Sequence, residues 1–281
     1  MIRLKCSFFT CLISIFGLVA QEHTIAIGQT KTIDSEILDE ARQIAVFTPS
    51  EYDNGDEKYP VLYVLDGEWN FHYISGLVDK LSAAGDMPRT IVIGIINTNR
   101  NRDLTPPEAN SNPNRFGGGE KFLDFISNEL QPWVNENYRT QPFNILAGHS
   151  FGGLFTIYAM MEQPGLFQSY IALSPSLGRN NEKQLAVAQS FFSSSAVMPH
   201  DLYVALANEG GFTKSSTLKF IEVAKAKVAQ KGRFKFEQLP DEDHFSIPVP
   251  GFLNGLRFIF EGMNPEKLSG LDEIFLIEAH F

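Results

Sequence analysis

Two hydrophobic rhythms alternate along most of the chain. Short, almost continuous apolar runs end in Gly, Asp or Asn: "YPVLYVLDG" (59–67), "TIVIGII" (90–96), "FNILAGHS" (143–150), "SYIALSP" (169–175) and "DLYVALANE" (201–209). Such runs read as strands buried on both faces. "RQIAVFTP" (42–49) and "FKFEQLP" (234–240) read as further strands, and shorter alternating stretches precede residue 42. Between them lie segments with helical spacing, "FHYISGLVDKLSAAG" (71–85), "GGLFTIYAMMEQ" (152–163), "EKQLAVAQSFFSS" (182–194), "SSTLKFIEVAKAKVAQKG" (215–232) and "GFLNGLRFIFEG" (251–262). In "GEKFLDFISNELQPWVNENY" (119–138), Phe122, Leu123, Ile126, Leu130 and Trp133 fall on one helical face, and Pro132 predicts a kink. Strands alternating with helices of this length predict an α/β fold: one mostly parallel sheet of about seven or eight strands with helices on both faces.

One segment breaks the rhythm. "NTNRNRDLTPPEANSNPNRFGGG" (97–119) has almost no apolar side chains, and carries three arginines and three prolines. The alternation continues on both sides of it, so an insertion within one domain is expected rather than a linker. Its prolines and Asn-type turn formers predict a stiffened loop without regular structure at the carboxyl end of a strand. Arg100 and Arg102 have two roles open to them: a positive wall that holds an anionic or polar part of a substrate, or pairing with Asp103 that folds the loop.

The first twenty residues are different again. "MIRLK" is basic, "CSFFTCLISIFGLVA" is a fifteen-residue, mostly apolar run too short to span a bilayer comfortably, and Ala20 precedes polar "QEHT". This predicts a secretory signal peptide cut near Ala20, leaving 21–281 as a single domain in a secreted or periplasmic protein. The expected cut removes both cysteines, and with them any thiol nucleophile, thiolate ligand or disulfide. It also removes Arg3 and Lys5 but no acid, so the formal net charge moves from −10 to −12. Such an acidic chain is a poor partner for nucleic acid or anionic membrane surfaces.

Reactive groups in these sheets gather at the carboxyl ends of the strands. "GHSFGG" (148–153) lies at one of them and contains G-x-S-x-G. Glycine on either side of Ser150 permits a turn sharp enough to lift its hydroxyl out of the sheet, with a helix N-terminus behind it. A serine hydroxyl needs a base, and the base needs an orienting acid. Of the histidines after Ser150, His280 is penultimate, and His200 precedes a strand and so belongs to the opposite sheet edge. His244, after the last strand, is at the correct edge and is the expected base. His149 points away from the hydroxyl by its position, and His72 could line a pocket or pack. Glu209 follows the strand before His244 and is the expected acid. Asp241, Glu242 and Asp243 are rivals close in sequence, and Asp201 stands at the wrong strand end. The backbone N–H of Phe151 and that of Glu68 (or Gly67) in "LDGEW" are candidate oxyanion donors, with Trp69, Arg100 and Arg102 as candidate substrate contacts. Metal chemistry is not expected, since no mature cysteine remains and the histidines are scattered. No cofactor is expected.

Together, "YPVLYVLDGEWNF", "NTNRNRDLTP", "NILAGHSFGGLFTIYA" and "DEDHFSIP" resemble the putative-esterase branch of the α/β-hydrolases. This branch is related to esterase D and the enterobactin-type siderophore esterases, and also holds feruloyl and acetyl-xylan esterases and mycobacterial mycolyltransferases. The resemblance runs from about Arg42 to Gly262. It implies an α/β-hydrolase fold, Ser150 as nucleophile, His244 as base, Glu209 as acid, no cofactor, and a small-molecule or glycan ester as substrate. Acyl transfer and a non-catalytic binding role are the alternatives. The chain stops at Phe281 within the amphipathic "GLDEIFLIEAHF" (270–281), so a shortened member is expected.

Overall fold

The computed structural model describes residues 25–108, 112, 114–193, 201–228 and 232–263. The expected signal peptide, His200, His280 and "GLDEIFLIEAHF" lie outside the described residues.

Eight strands form one sheet in the order β1-β2-β4-β3-β5-β6-β7-β8. They are β1 (Gln29–Ser35), β2 (Glu40–Phe47), β3 (Tyr59–Val64), β4 (Ile91–Ile95), β5 (Thr140–His149), β6 (Ser169–Leu173), β7 (Asp201–Ala207) and β8 (Phe234–Leu239). β1 and β2 run antiparallel to each other and β2 runs antiparallel to β4. Every other neighbouring pair is parallel. All residues of β3, β4 and β6 are buried, as their unbroken apolar runs require, because helices cover both faces.

Helices α1 (Gly67–Ala83) and α8 (Pro248–Phe260) cover one face, where Ile74, Val78, Phe252 and Ile259 meet Val64, Ile171 and Ala205. On the other face lie α3 (Gly119–Phe125), α4 (Gln131–Asn137), α5 (Phe151–Glu162), α6 (Arg179–Ser193) and α7 (Gly211–Val228). Phe122, Phe155, Leu185 and Phe220 fill the core beneath them. The expected kink before Pro132 takes the form of a π-helical turn over Ile126–Leu130 that joins α3 to α4. Proline has no amide hydrogen to continue the ladder, and the widened turn absorbs the mismatch.

The polar stretch departs from expectation in one respect. It is not devoid of regular structure: Arg100–Asp103 form a short helix, α2, whose first turn is capped by the Asn99 side chain accepting from Arg102 N at 3.2 Å. Asn is a strong helix starter, and that signal outweighs the run of turn formers around it. The helix is also anchored from below. Arg42 of β2 is fully buried, 5.2 and 5.7 Å from the Phe122 and Phe125 ring centres, and donates to Asp103 at 2.7 Å and Glu40 at 2.8 Å. Arg102 donates to the other Asp103 oxygen at 2.6 Å and to Glu40 at 2.6 Å. Burial alone would raise the Glu40 carboxyl, but the bonds from Arg102 and Arg42 hold it below its ordinary value.

Candidate active site

Ser150 stands between β5 and α5, in the middle of the sheet. Its backbone adopts φ 60°, ψ −115°, outside the usual regions for a residue with a side chain. The turn closes so tightly that a Cβ on Gly148 would sit 2.4 Å from the carbonyl carbon and oxygen of Gly152. Glycine is therefore required there, and the spacing of the motif follows from the path of the backbone. The Ser150 N–H donates to Leu173 O of neighbouring β6 at 2.9 Å, which ties the turn to the sheet.

His244 follows β8 and Glu209 follows β7, so the parallel order brings both loops to the edge that carries Ser150. His244 Nε2 lies 3.0 Å from Ser150 Oγ, and His244 Nδ1 hydrogen-bonds the Glu209 carboxylate. A carboxylate only accepts, so Nδ1 carries the hydrogen and Nε2 is left as an acceptor for the serine hydroxyl. The Glu209 side chain is only 10 % exposed. Two of the rival acids, Asp243 and Asp201, are engaged elsewhere. Asp243 accepts from the amides of Phe245 and Ser246 at 2.8 and 2.9 Å, which shapes the loop and holds its carboxyl below the ordinary range although it is exposed. Asp201 forms an ion pair with Arg233 at 2.6 Å where β7 begins. Asp241 is exposed, and Glu242 receives Asn208 N through its backbone carbonyl.

The β3–α1 turn closes another side of the site. Asp66 is almost fully buried in a left-handed conformation, φ 56°, just before Gly67 and Glu68. Arg100 grips it with two bonds of 2.6 and 2.9 Å, and Asn97 donates to it at 2.7 Å. Glu68 sits in the first turn of α1 and accepts from the backbone and side chain of Asn97. The Arg100 guanidinium also lies 5.4 Å from the ring centres of both Trp69 and Phe151. Trp69 is 63 % exposed, and Phe212 and Phe245 are exposed as well, beside Glu209 and His244 in sequence. Arg102 is turned to Glu40 and Asp103.

His72 is exposed on α1. His149 is largely buried, its ring centre 4.6 Å from that of His244. Burial, and then the charges of His244 and Arg100, push its imidazole down to about 4. Three residues near Ser150 are not singled out by the sequence: Asp66, Asn97 and Ser176, whose Oγ is 3.4 Å from Ser150 Oγ. Each lies at a strand end on the reactive edge, which was the available signal. A hollow of about 760 Å³ lies at the opposite edge, lined by Tyr59, Thr90 and Gln141 where β3, β4 and β5 begin. Its lining has no counterpart of the Ser150, His244 and Glu209 arrangement. Among the described residues no cluster of three or more His, Cys, Asp or Glu could hold a metal, and no helix is long and apolar enough to cross a membrane.

Known proteins resemble this chain in sequence and in fold. Residues 35–245 match the family described as putative esterase. The ferri-bacillibactin esterase BesA of Bacillus subtilis is 28 % identical over 75 % of this chain and 82 % of its own length. An IroE-like serine hydrolase from Shewanella oneidensis superposes with a TM-score of 0.79 at 32 % identity, covering 83 % of this chain and 80 % of that one. The siderophore hydrolase EstB from Aspergillus nidulans, at 22 % identity, shares the fold with a TM-score of 0.74 over 86 % and 98 % of the two chains.

Proposed function

We propose, from the premise that this chain belongs to the putative esterase family and is a serine hydrolase of ester bonds, that Ser150 is its nucleophile, His244 its general base and Glu209 the acid that orients His244. The observation that carries the assignment is the unbroken line from Ser150 Oγ through both ring nitrogens of His244 to the Glu209 carboxylate.

The reaction follows from that line. Ser150 Oγ attacks the ester carbonyl carbon as its proton passes to His244 Nε2. The carbonyl oxygen takes up negative charge and meets the N–H groups of Phe151 and Glu68, first-turn donors of α5 and α1 that have no acceptor within their own helices. The imidazolium returns the proton to the departing alcohol oxygen, leaving the acyl group on Ser150. Water then gives a proton to Nε2 and attacks the same carbon. The proton passes back to Ser150 Oγ as the acid product leaves.

For the substrate we propose a siderophore ester. The named substrate of the Bacillus relative supports this, together with Trp69 and Arg100, whose exposed indole and stacked guanidinium suit an anionic aromatic acyl group. Export is part of the same proposal, supported by the basic start, apolar run and Ala20, and N-terminal sequencing of the secreted protein tests it. The decisive experiment is an ester panel containing an iron-loaded catecholate lactone and acetylated and feruloylated sugars. Ser150→Ala and His244→Ala should each abolish turnover without lowering the melting temperature, and a fluorophosphonate probe should label Ser150. A wild-type protein that takes no label, or a Ser150→Ala variant that still turns over, removes the assignment.

A further inference from the structure

Ser176 lies in the turn Ser174-Pro175-Ser176, between β6 and α6, at the carboxyl end of the strand beside the one that carries Ser150. Its backbone is bound to the nucleophile: Ser176 N donates to Ser150 O at 3.2 Å. The turn is rigid. Ser174 is buried with φ 39°, donates through its N–H to Ala205 O at 2.8 Å, and accepts from Ala207 N at 3.2 Å. The α5 helix rests directly on it, since a Cβ on Gly153 would come within 2.9 Å of Leu173 O and 3.1 Å of Pro175 Cα. The third glycine of "GHSFGG" thus has a physical reason: it lets this turn approach the nucleophile.

The direction of the 3.4 Å contact between the Ser176 and Ser150 hydroxyls follows from counting protons. His244 Nδ1 donates to Glu209, so Nε2 accepts and the single Ser150 proton goes to Nε2. Ser150 Oγ can then only accept from Ser176. Among the described residues the Ser176 hydroxyl has no other hydrogen-bond partner.

We infer that Ser176 is a further catalytic residue, whose hydroxyl donates to Ser150 Oγ while that oxygen carries negative charge. This rests on Ser150 being the nucleophile. The donor matters twice. It stabilises the oxygen as His244 removes its proton, and again when Ser150 Oγ leaves the deacylation intermediate before His244 returns the proton. In the acyl-enzyme the same oxygen is an ester oxygen, a weak acceptor, so the contact is strongest in the two transition states and contributes little to ground-state binding. A contact of 3.4 Å is long for a hydroxyl pair, and the developing charge shortens it.

The test is steady-state turnover of a short p-nitrophenyl ester by Ser176→Ala and Ser176→Thr, with the fluorophosphonate labelling rate of Ser150 measured in parallel. Ser176→Ala should lose about 10- to 100-fold in kcat, less than the roughly 100- to 1,000-fold for one oxyanion-hole donor because the contact is longer, with KM within about twofold and slower but complete labelling. Ser176→Thr keeps the hydroxyl and should recover most of the loss. The inference is overturned if Ser176→Ala stays within about threefold of wild type, if only KM moves, or if threonine restores nothing. A wild-type enzyme in which Ser150 takes no label would instead remove the nucleophile assignment itself.

Discussion

Replacing His149 by phenylalanine should flatten the dependence of stability on pH. The imidazole is largely buried against His244, and its Nε2 is buried with no hydrogen-bond partner among the described residues. Burial first, then the neighbouring positive charges, lower its value from 6.5 to about 4. At 1.36 kcal/mol per unit, that difference corresponds to about 3 kcal/mol between folded and unfolded states. Because the folded value is the lower one, the unfolded chain takes up a proton near pH 6.5 and the folded chain does so only near pH 4. Stability is therefore unaffected by this group above about pH 6.5, falls as the pH drops through the window, and levels off below about 4. Phenylalanine keeps the ring and removes the titration. Its removal of an orphan nitrogen offsets the loss of the His149 bond to the His244 backbone, so the two proteins should be of similar stability at pH 7. Urea unfolding between pH 4.5 and 7.5 provides the assay, and the difference between the two curves cancels the carboxylates common to both. By pH 4.5 the variant should be the more stable by about 2 kcal/mol. Parallel curves would refute the placement of a neutral, desolvated imidazole behind the base.

Three further outcomes are expected. Gly148→Ala places a methyl group 2.4 Å from the Gly152 carbonyl, so the turn must open; kcat/KM should fall about 100-fold or more, with a matching loss of fluorophosphonate labelling. Asp103→Ala leaves Arg42 fully buried without its main partner, and denaturant unfolding should show a loss of about 3–5 kcal/mol. Glu209→Gln removes the carboxylate that fixes the His244 tautomer and should lower kcat by about 100-fold or more, whereas Asp243→Asn, which can still accept both loop amides, should stay within about threefold of wild type.

Much of the fold was legible because strands covered on both faces must be almost wholly apolar, and β3, β4 and β6 announce themselves in that way. β1 was less visible: at a sheet edge it buries only Ile33 and Ser35, so its pattern is faint. Ser150, His244 and Glu209 could be chosen because strand direction alone decides which loops share an edge. What escaped the sequence were groups whose meaning depends on tertiary contact. Nothing in "NRNRDL" distinguishes Arg100, bound to Asp66, from Arg102, bound to Glu40 and Asp103. His149 points away from the Ser150 hydroxyl by its position, and its neighbour in space, His244, comes from the loop after β8, far along the chain. Nothing in the sequence marks Ser176, whose nearness to Ser150 depends on β6 pairing beside β5.

The strand order also sets a timetable for synthesis. Ser150 and His244 are 94 residues apart, and the loop that supplies His244 follows β8, the last strand in chain order and an edge of the sheet. A chain that emerges N-terminus first, from the ribosome or across a membrane, can complete β3, β4 and β5 and form the elbow at Ser150 before the loop of His244 is available. Until β8 pairs with β7, the serine has no proton acceptor at hand. If Ser150 and His244 act as proposed, hydrolytic competence waits for β8, and a chain interrupted before that strand would carry the serine without its base.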